Sequence, residues 1–335
     1  GNIEQFKNDT DPTGSRSKVL SASALETLGT CPLRYFFRHV LGLKTPDEPT
    51  FDPSRWLDHS QLGKLAHEVF HAFVLELMTA QRKPKFETDL PQLLETLSIF
   101  LERYGSLVPP PSDSAFRRQV IELESAMRVF LVEEERTHKT WEPFALEACI
   151  GLAESSTNPS SHPEPISISL PDGRSFQVKG AIDRIDRCET GTKTLYRIID
   201  YKMGSPNRYQ KDKNFTRGSI VQPMIYTMMA KSYLGREKIF SSVIDDFVYF
   251  FPSVKNRGLR IHIPVQKDSD MGVMANLCQL MTNAAFMATD DVSDCGFCDY
   301  LLMCGETKTL TESSHTKLQN LKNTTLEPLR DLRKK

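Results

Sequence analysis

The chain has 335 residues, and its 39% hydrophobic and 25% charged residues are typical of a folded globular protein and exclude a mainly disordered one. Its 42 basic and 43 acidic residues nearly cancel, so any affinity for nucleic acid has to come from local basic patches. No apolar run reaches the ~18 residues needed to cross a bilayer, and the polar first residues lack the apolar middle of a signal peptide. We therefore expect a cytoplasmic protein with no membrane partner. Because Gly1 stands in place of an initiator methionine, which suggests an expression scar, we expect the chain to be a piece of a longer protein.

Helical patterns dominate the first part of the chain. Residues 1–18 are predicted to be a flexible lead, and residues 20–43 have the apolar spacing of a helix. Within that helix, Ser23 and Glu26 have the spacing of a capping box. Further helical patterns occur at about 58–80, 89–104 and 114–137. We therefore expect residues 19–140 to be mostly helical.

The periodicity changes to that of strands beyond Trp141. Four segments rich in β-branched residues are separated by turn sequences, and they read FALEACIGLA, PISISL, FQVKGAIDRID and TLYRIIDYK. The later patterns are a helix at about 218–234, strands at 243–251 and 258–264, and a helix at 269–289. An α/β fold with a sheet core flanked by helices is predicted for residues 141–305, followed by a weakly packed tail over 306–335.

The seven cysteines are too sparse for a secreted disulfide framework and favour a reducing compartment. Cys295, Cys298 and Cys304 form a C-x2-C-x5-C run that lets three thiolates converge, and a distant cysteine has to complete a four-sulfur site. Cys31 is the natural candidate. Such a site holds zinc or an iron–sulfur cluster, and a chance group of buried cysteines is the alternative. No special role is expected for the remaining three: Cys149, Cys188 and Cys278.

Two acidic residues and a lysine could form a metal site on neighbouring strands. The period of two places Asp200 and Lys202 on one face of their strand, and a short turn would place Asp183 on an antiparallel neighbour. Two convergent carboxylates suit Mg²⁺, and the lysine would orient or deprotonate the attacking water or neutralise charge on a phosphate. The alternative is a solvated charge ladder at 183–187 with a surface ion pair at Asp200 and Lys202.

His67 lies on an amphipathic helix and could supply a third ligand to the same metal. Together with Glu68 and His71 it spells HEVFH, which matches the H-E-x-x-H motif of zinc proteases. That hypothesis needs a further ligand on an adjoining helix, for which Glu95 or Glu102 would have to serve. It leaves the strands and cysteines unexplained.

A polar helix face and a basic loop follow the acidic strand. Gln222 and Tyr226 are four residues apart and therefore share one face of a helix. The loop before this helix has a net charge of about +4, which suits a phosphate backbone, although a solvated charged loop is the alternative. The basic residues predicted to bind DNA are Arg208, Lys211, Lys213 and Arg217. No G-x-x-x-x-G-K-[ST] phosphate loop occurs, so no ATP motor is expected in this chain.

Taken in order, these segments resemble the RecB-type nucleases of the PD-(D/E)xK superfamily. The resemblance rests on SASALETLGTCPLRYFF, GKLAH, GAIDRID, IIDYKMG and the Gln222 to Tyr226 pair, and it covers about 19–305. Cys31 with the later cysteine run narrows it to the iron–sulfur branch, which includes the nuclease domains of AddB subunits of bacterial helicase–nucleases.

This resemblance implies a restriction-endonuclease-like mixed sheet flanked by helices, with a helical N-terminal elaboration. It implies metal-dependent hydrolysis of DNA, of exonuclease type, in repair or recombination, with a helicase motor on the full-length protein or a partner subunit. The alternatives are a non-catalytic iron–sulfur module that binds DNA and, through HEVFH, a zinc metalloprotease.

The resemblance also implies a role for individual residues. The catalytic set would be Asp183, Asp200, Lys202, Gln222 and Tyr226. The ligands of Mg²⁺ or Mn²⁺ would be His67, Asp183, Asp200 and the carbonyl of Tyr201. The ligands of a 4Fe–4S cluster would be Cys31, Cys295, Cys298 and Cys304. We expect this cluster to be structural rather than redox-catalytic, and to be lost or replaced on handling in air.

Overall fold

The computed structural model describes residues 3–14, 18–44, 52–152, 161–191, 193–211, 216–239, 243–264 and 271–334. The strands are β1 (Leu20–Ser21), β2 (Glu142–Ile150), β3 (Ile166–Ser169), β4 (Ser175–Thr190), β5 (Lys193–Tyr201), β6 (Val243–Phe251) and β7 (Leu259–Pro264). The helices are α1 (Ile3–Thr10), α2 (Ala22–Thr30), α3 (Pro32–Tyr35, continued by a π-helical turn at Phe36–Val40), α4 (His59–Thr79), α5 (Phe86–Leu107), α6 (Asp113–Thr137), α7 (Asn207–Lys211), α8 (Gln222–Arg236), α9 (Met271–Thr282), α10 (Leu301–Cys304), α11 (Thr307–Gln319) and α12 (Glu327–Lys334). Among the described helices, none has an apolar stretch that could traverse a bilayer.

The strands found in the described ranges form one mixed sheet of seven. Its order is β1-β4-β5-β6-β7, and β2 and β3 also pair with β4. β4 and β5 are antiparallel, β5 and β6 are parallel, and β6 and β7 are antiparallel. The ends of β5 and β6 are continuously buried, as expected of parallel strands covered on both faces. The prediction of an α/β fold with a mixed sheet flanked by helices is confirmed.

Helices cover the sheet on both faces, and each face has its own apolar core. On one face α4, α5 and α6 pack against Ile199, Tyr201 and Phe250, where the rings of Phe70 and Phe130 stack at 4.2 Å between centroids. On the other face α2, α8, α9 and α12 pack against the opposite side chains of the same strands. The helical first part of the chain therefore contributes to both layers.

The first predicted helix is interrupted, and its cap differs from the prediction. Cys31 has extended backbone angles between α2 and α3, because Pro32 begins the next helix and cannot continue the previous one. The N-cap is Ser21, whose hydroxyl accepts an amide of the first turn. The predicted capping box of Ser23 and Glu26 is therefore wrong, since the Glu26 carboxylate bonds to another helix.

The first residues differ from the flexible lead predicted for 1–18. Residues 3–10 form α1, and the hydroxyl of Thr10 donates to the carbonyl of Met281 on α9 at 3.0 Å. A second bond joins the Thr282 hydroxyl to Asp11 at 3.1 Å. These contacts order α1 against the core.

The last residues differ from the weakly packed tail predicted for 306–335. They form α11 and α12, and α12 packs against α9. Leu329 and Leu332 are fully buried in the core because they are three residues apart and share one face of α12. This apolar face could not be recognised in the sequence, because it consists of few residues and many polar residues surround them.

Candidate active site

The imidazole of His67 meets the end of β5. Asp58 and Gln61 form a reciprocal capping box that starts α4, so the helix has a fixed origin two turns before the histidine. His67 Nε2 lies 2.9 Å from the carbonyl oxygen of Tyr201, and Nδ1 lies 3.4 Å from Oδ2 of Asp183. The helical half of the chain and the sheet therefore meet at this point.

Asp183 lies on β4 next to the end of β5, as its spacing predicts. The two strands are antiparallel, and Oδ2 of Asp183 accepts a hydrogen bond from the backbone amide of Tyr201 at 2.9 Å. Burial raises the pKa of Asp183 to about 6; nearby His67 opposes this shift and Asp200 adds to it. The side chain therefore ionises close to neutral pH.

Asp200, near the end of β5, and Lys202, just beyond it, point to the same side and form an ion pair whose carboxylate is buried. Nζ of Lys202 lies 2.5 Å from Oδ2 of Asp200, whose residue is only 3% exposed. Burial opposes the charged lysine, but Asp200 raises its pKa above the ordinary value, so the side chain is an ammonium. The alternative of a surface ion pair is wrong, because the carboxylate is buried.

Helix α8 places two polar side chains over this pair. Nε2 of Gln222 donates to Oδ1 of Asp200 at 2.6 Å, and Nζ of Lys202 donates to Oε1 of Gln222 at 3.4 Å. The hydroxyl of Tyr226, one turn along, lies near the side chain of Gln222, and burial raises the pKa of Tyr226. The predicted shared face of Gln222 and Tyr226 therefore points at the acidic strand.

A buried ion network stands behind the site, where the alternative hypothesis placed a solvated ladder. Arg184 and Asp186 are 1% and 0% exposed. The Arg184 guanidinium bonds to Asp186, to Glu134 of α6 at 2.7 Å and to the hydroxyl of Tyr201 at 3.2 Å. Arg197 donates two hydrogen bonds to Oδ2 of Asp186. These bonds hold β4, β5 and α6 together beneath the site.

The donor set of the site suits a hard divalent cation. Carboxylate and carbonyl oxygens are the ligands that Mg²⁺ and Mn²⁺ prefer, and Asp183, Asp200 and Tyr201 supply them beside His67. Oδ2 of Asp200 is buried and, among the described residues, accepts no well-aligned hydrogen bond. In the same ranges no three His, Cys, Asp or Glu side chains are grouped as ligands ready for a metal ion. Instead, Asp183 accepts a hydrogen bond from the Tyr201 amide, and Asp200 accepts one from Gln222 and forms an ion pair with Lys202.

The HEVFH segment lacks the geometry of a zinc protease. His67 turns toward Tyr201, whereas Glu68 forms an ion pair with Arg103 of α5. No ligand group that joins His71 to the acids of α5 is found in the part of the chain that the structure describes. The zinc metalloprotease hypothesis is therefore not supported.

A cleft of about 1330 Å³ opens from the site between α4, α6 and the turn that joins β6 to β7. Basic side chains from four separate segments line it: Arg55, Lys64, Arg118 and Lys255. Ile121 and Val254 lie on opposing segments of its wall and are 63% and 59% exposed. This surface could not be predicted from the sequence, because its residues are distributed over two hundred positions.

A third acidic residue, Glu147, was also missed. It lies on β2 between Leu146 and Ala148, whose partners on β4 flank Asp183, and it lines the cleft beside the site. Burial raises the pKa of Glu147 to about 8, and Asp183 and Asp200 add to the shift. Its φ of 45° is in the left-handed region, which is unusual for a residue with a side chain inside a strand. The sequence feature that could have indicated this residue is a single glutamate within the mainly apolar segment FALEACIGLA, because a charged residue is rarely buried without a reason.

The basic loop is only partly where the sequence predicted it. Arg208 is half-exposed beside the site. Its guanidinium donates a hydrogen bond to the carbonyl of Ser219 and lies close to Glu26. Arg217 forms ion pairs with acidic residues that precede the C-terminal cysteines, so its prediction as a DNA-binding residue is corrected. Lys213 lies outside the described residues, as does the side chain of Lys211. The acidic partners of Arg217 are Asp290, Asp291 and Asp294.

The four candidate cysteines line a common cavity, although within the described residues no three of them are grouped as metal ligands. Cys31, Cys295, Cys298 and Cys304 line one small cavity of about 20 Å³ with free thiols. Burial raises the pKa of Cys31, and a neighbouring thiolate adds to the shift. The remaining cysteines, which are Cys149, Cys188 and Cys278, lie elsewhere in the fold.

Comparison with known proteins identifies related sequences. The sequence model of the PD-(D/E)XK nuclease superfamily matches residues 19–305. The chain is also similar to bacterial proteins whose names describe them as subunits of an ATP-dependent helicase/deoxyribonuclease. It is 31% identical over 198 residues to that of Carboxydothermus hydrogenoformans, covering 56% of this chain and 16% of the relative. It is 25% identical over 217 residues to that of Clostridium perfringens, covering 63% and 17%. The chain thus spans less than a fifth of the length of these relatives.

Proposed function

Because this chain belongs to the PD-(D/E)XK nuclease superfamily, we propose that it is a divalent-metal-dependent deoxyribonuclease. One observation carries this proposal: an imidazole, two carboxylates, a carbonyl and an ammonium converge at the end of β5. They belong to His67, Asp183, Asp200, Tyr201 and Lys202. This combination suits the hydrolysis of a phosphodiester bond, in which negative charge builds up on the phosphate.

Four of these groups would hold Mg²⁺ or Mn²⁺: His67, Asp183, Asp200 and the carbonyl of Tyr201. Such an ion, when bound, supplies an activated water and neutralises charge on the phosphate. Asp183 becomes a better ligand as it ionises, so metal affinity rises as the pH rises through about 6.

Lys202 would act by charge rather than as a base. Its pKa is raised by Asp200, so it holds its proton while water attacks phosphorus in line with the leaving 3′ oxygen. Gln222 receives a bond from Lys202 and donates one to Asp200, which orients both groups. Tyr226, near the side chain of Gln222, would help to position its amide.

The cleft next to the site would hold the DNA strand. Its basic side chains can meet phosphates, and its exposed Ile121 and Val254 can contact apolar faces of bases. Three acids, Glu68, Glu122 and Glu147, also line it, and the first is neutralised by Arg103. Arg208 would extend this surface on the other side of the site.

The chain would be the exonuclease-type nuclease domain of a helicase–nuclease that acts in DNA repair and recombination. The names of its relatives support this, and a helicase motor would lie on the remainder of the protein or on a partner subunit. We further propose that Cys31, Cys295, Cys298 and Cys304 hold a 4Fe–4S cluster, supported by their shared cavity.

Digestion of end-labelled single- and double-stranded DNA by the chain, purified without oxygen, tests the proposal. The wild-type chain should cleave in Mg²⁺ or Mn²⁺ and stop in EDTA. Asp200→Ala should lose at least about a thousandfold in rate, since both the cation and Lys202 lose their partner, while DNA affinity changes little. Cleavage retained by Asp200→Ala would refute the site, and binding without any cleavage by the wild type would favour a non-catalytic DNA-binding module.

A further inference from the structure

Glu26 connects the helix before Cys31 to the helix over the active site. It lies on α2, and its Oε1 accepts hydrogen bonds from the backbone amides of Val221 and Gln222 at 2.9 and 3.1 Å. Oε2 faces the guanidinium of Arg208 at 3.5 Å. The carboxylate is therefore bonded to a segment almost two hundred residues away.

These bonds take the place of a local cap on α8. The N-cap residue, Val221, has no polar side chain, and no side-chain cap bond forms from it. The first amides of a helix lack partners within the helix, and the positive end of its dipole favours a carboxylate. Glu26 supplies both the acceptor and the charge, so the position of this helix end depends on α2.

The C-terminal half of α2 is itself held firmly. The backbone of Gly29 lies so close to Gly218 that an added Cβ would come within 2.1 Å of the Gly218 carbonyl oxygen. The guanidinium of Arg333 donates to the carbonyls of Gly29 and Thr30 at 2.9 and 3.3 Å. α2 therefore offers Glu26 as a fixed point.

We propose that Glu26 is a positioning residue of the nuclease site: by capping α8 from α2, it fixes Gln222 against Asp200 and Lys202. The first residue of α8 is Gln222 itself, and its side chain bonds to both catalytic partners. A shift of this helix end would move the amide away from them. This inference rests on the proposed function of the site.

Kinetic variants test this role. Glu26→Ala should lower kcat on a DNA oligonucleotide by about tenfold to a hundredfold with KM changed less than about twofold, since orientation rather than binding is lost. Glu26→Gln should retain at least about a third of kcat, because its amide oxygen can still accept both bonds. Glu312→Ala, on an exposed face of α11, is the matched control. Wild-type kcat in Glu26→Ala would overturn the proposal.

A double-mutant cycle separates this role from a general loss of stability. If Glu26 acts through Gln222, the double variant Glu26→Ala/Gln222→Ala should have the kcat of Gln222→Ala alone. Losses that multiply would contradict the proposal.

Hydrogen exchange provides a readout that needs no cleavage. The amides of Val221 and Gln222 should exchange about tenfold faster in Glu26→Ala, whereas amides of β6 keep their wild-type protection. A wild-type chain without nuclease activity would refute the proposed function alone. Unchanged exchange at these two amides would refute the positioning role alone.

Discussion

At the scale of single residues, Glu147 shows how the site concentrates negative charge. It lies near Asp183 where β2 pairs with β4, and burial with the two neighbouring acids raises its pKa to about 8. Three acids placed this close repel one another until a cation or a proton intervenes. Its left-handed φ adds a backbone cost of order 1–3 kcal/mol, which is a frequent feature of functional sites.

The raised pKa of Glu147 makes the stability of the fold depend on pH. A carboxyl whose folded pKa lies above the ordinary 4.5 costs no stability at low pH, and the cost grows as the pH rises from 4.5 to about 8. Glu147→Gln should therefore raise the free energy of unfolding at pH 8, in EDTA, by about 1–3 kcal/mol, and by less at pH 5. Urea unfolding at the two pH values measures this difference. Glu102→Gln, exposed on α5, is the control, and an equal gain at both pH values would contradict the electrostatic origin.

Some residues of the site could be predicted from sequence and others could not. The period of two along β5 correctly placed Asp200 and Lys202 on one face. Arg217 was misassigned because a basic loop residue has the same pattern whether it meets phosphates or acids from a distant turn. Glu147 was missed because its neighbours along the chain give no hint of Asp183 opposite.

At the scale of elements, α4, α6 and the β6–β7 turn build the cleft that would bind DNA. Arg118 and Lys255 come from two of these elements, and Asp52 lies close enough to Arg118 to interact with it electrostatically. Replacing both by alanine should weaken binding of a single-stranded oligonucleotide by about tenfold at 0.1 M salt. The dependence of log Kd on log salt should flatten by about 1.4, because each phosphate contact on a single strand releases ~0.7 counterion.

The matched control for this pair is Lys231→Ala, an exposed lysine on the opposite face of α8 from Gln222. It should leave the salt dependence at the wild-type value, and kcat should be unchanged in both variants. A double variant with a wild-type salt slope would show that DNA does not pass through this cleft.

The boundaries of a helix or strand could be predicted where the local apolar periodicity alone determines them. α4, α6 and β6 lie within two residues of their predicted limits. α2 ended early because Pro32 starts a new helix, and its expected capping box failed because Glu26 found better donors at the start of α8. Tertiary contacts of this kind cannot be read from local spacing.

At the scale of the whole molecule, the cysteine group joins the two ends of the described fold. Cys31 and Cys295 are 264 residues apart in sequence but line the same cavity. A cluster that closes so long a loop restricts the unfolded chain, with a cost that grows as ~(3/2)RT ln n. A cluster bound by these cysteines would therefore stabilise the folded chain.

Cys31→Ser should lower the melting temperature of anaerobically purified chain by about 5 °C, the shift expected for about 3 kcal/mol in a chain of this size. Calorimetry measures the shift. Cys149→Ser, with its thiol outside the cavity, should change it by less than half as much. An unchanged melting temperature in Cys31→Ser would contradict a structural cluster.

His67 from the helical half and two acids from the sheet would hold one divalent ion beside Lys202. Anomalous diffraction from a crystal soaked in Mn²⁺ tests this arrangement. One strong peak should appear, bounded by His67, Asp183, Asp200 and the carbonyl oxygen of Tyr201. A peak shared instead by His67 and His71, or no peak among these groups, would contradict it.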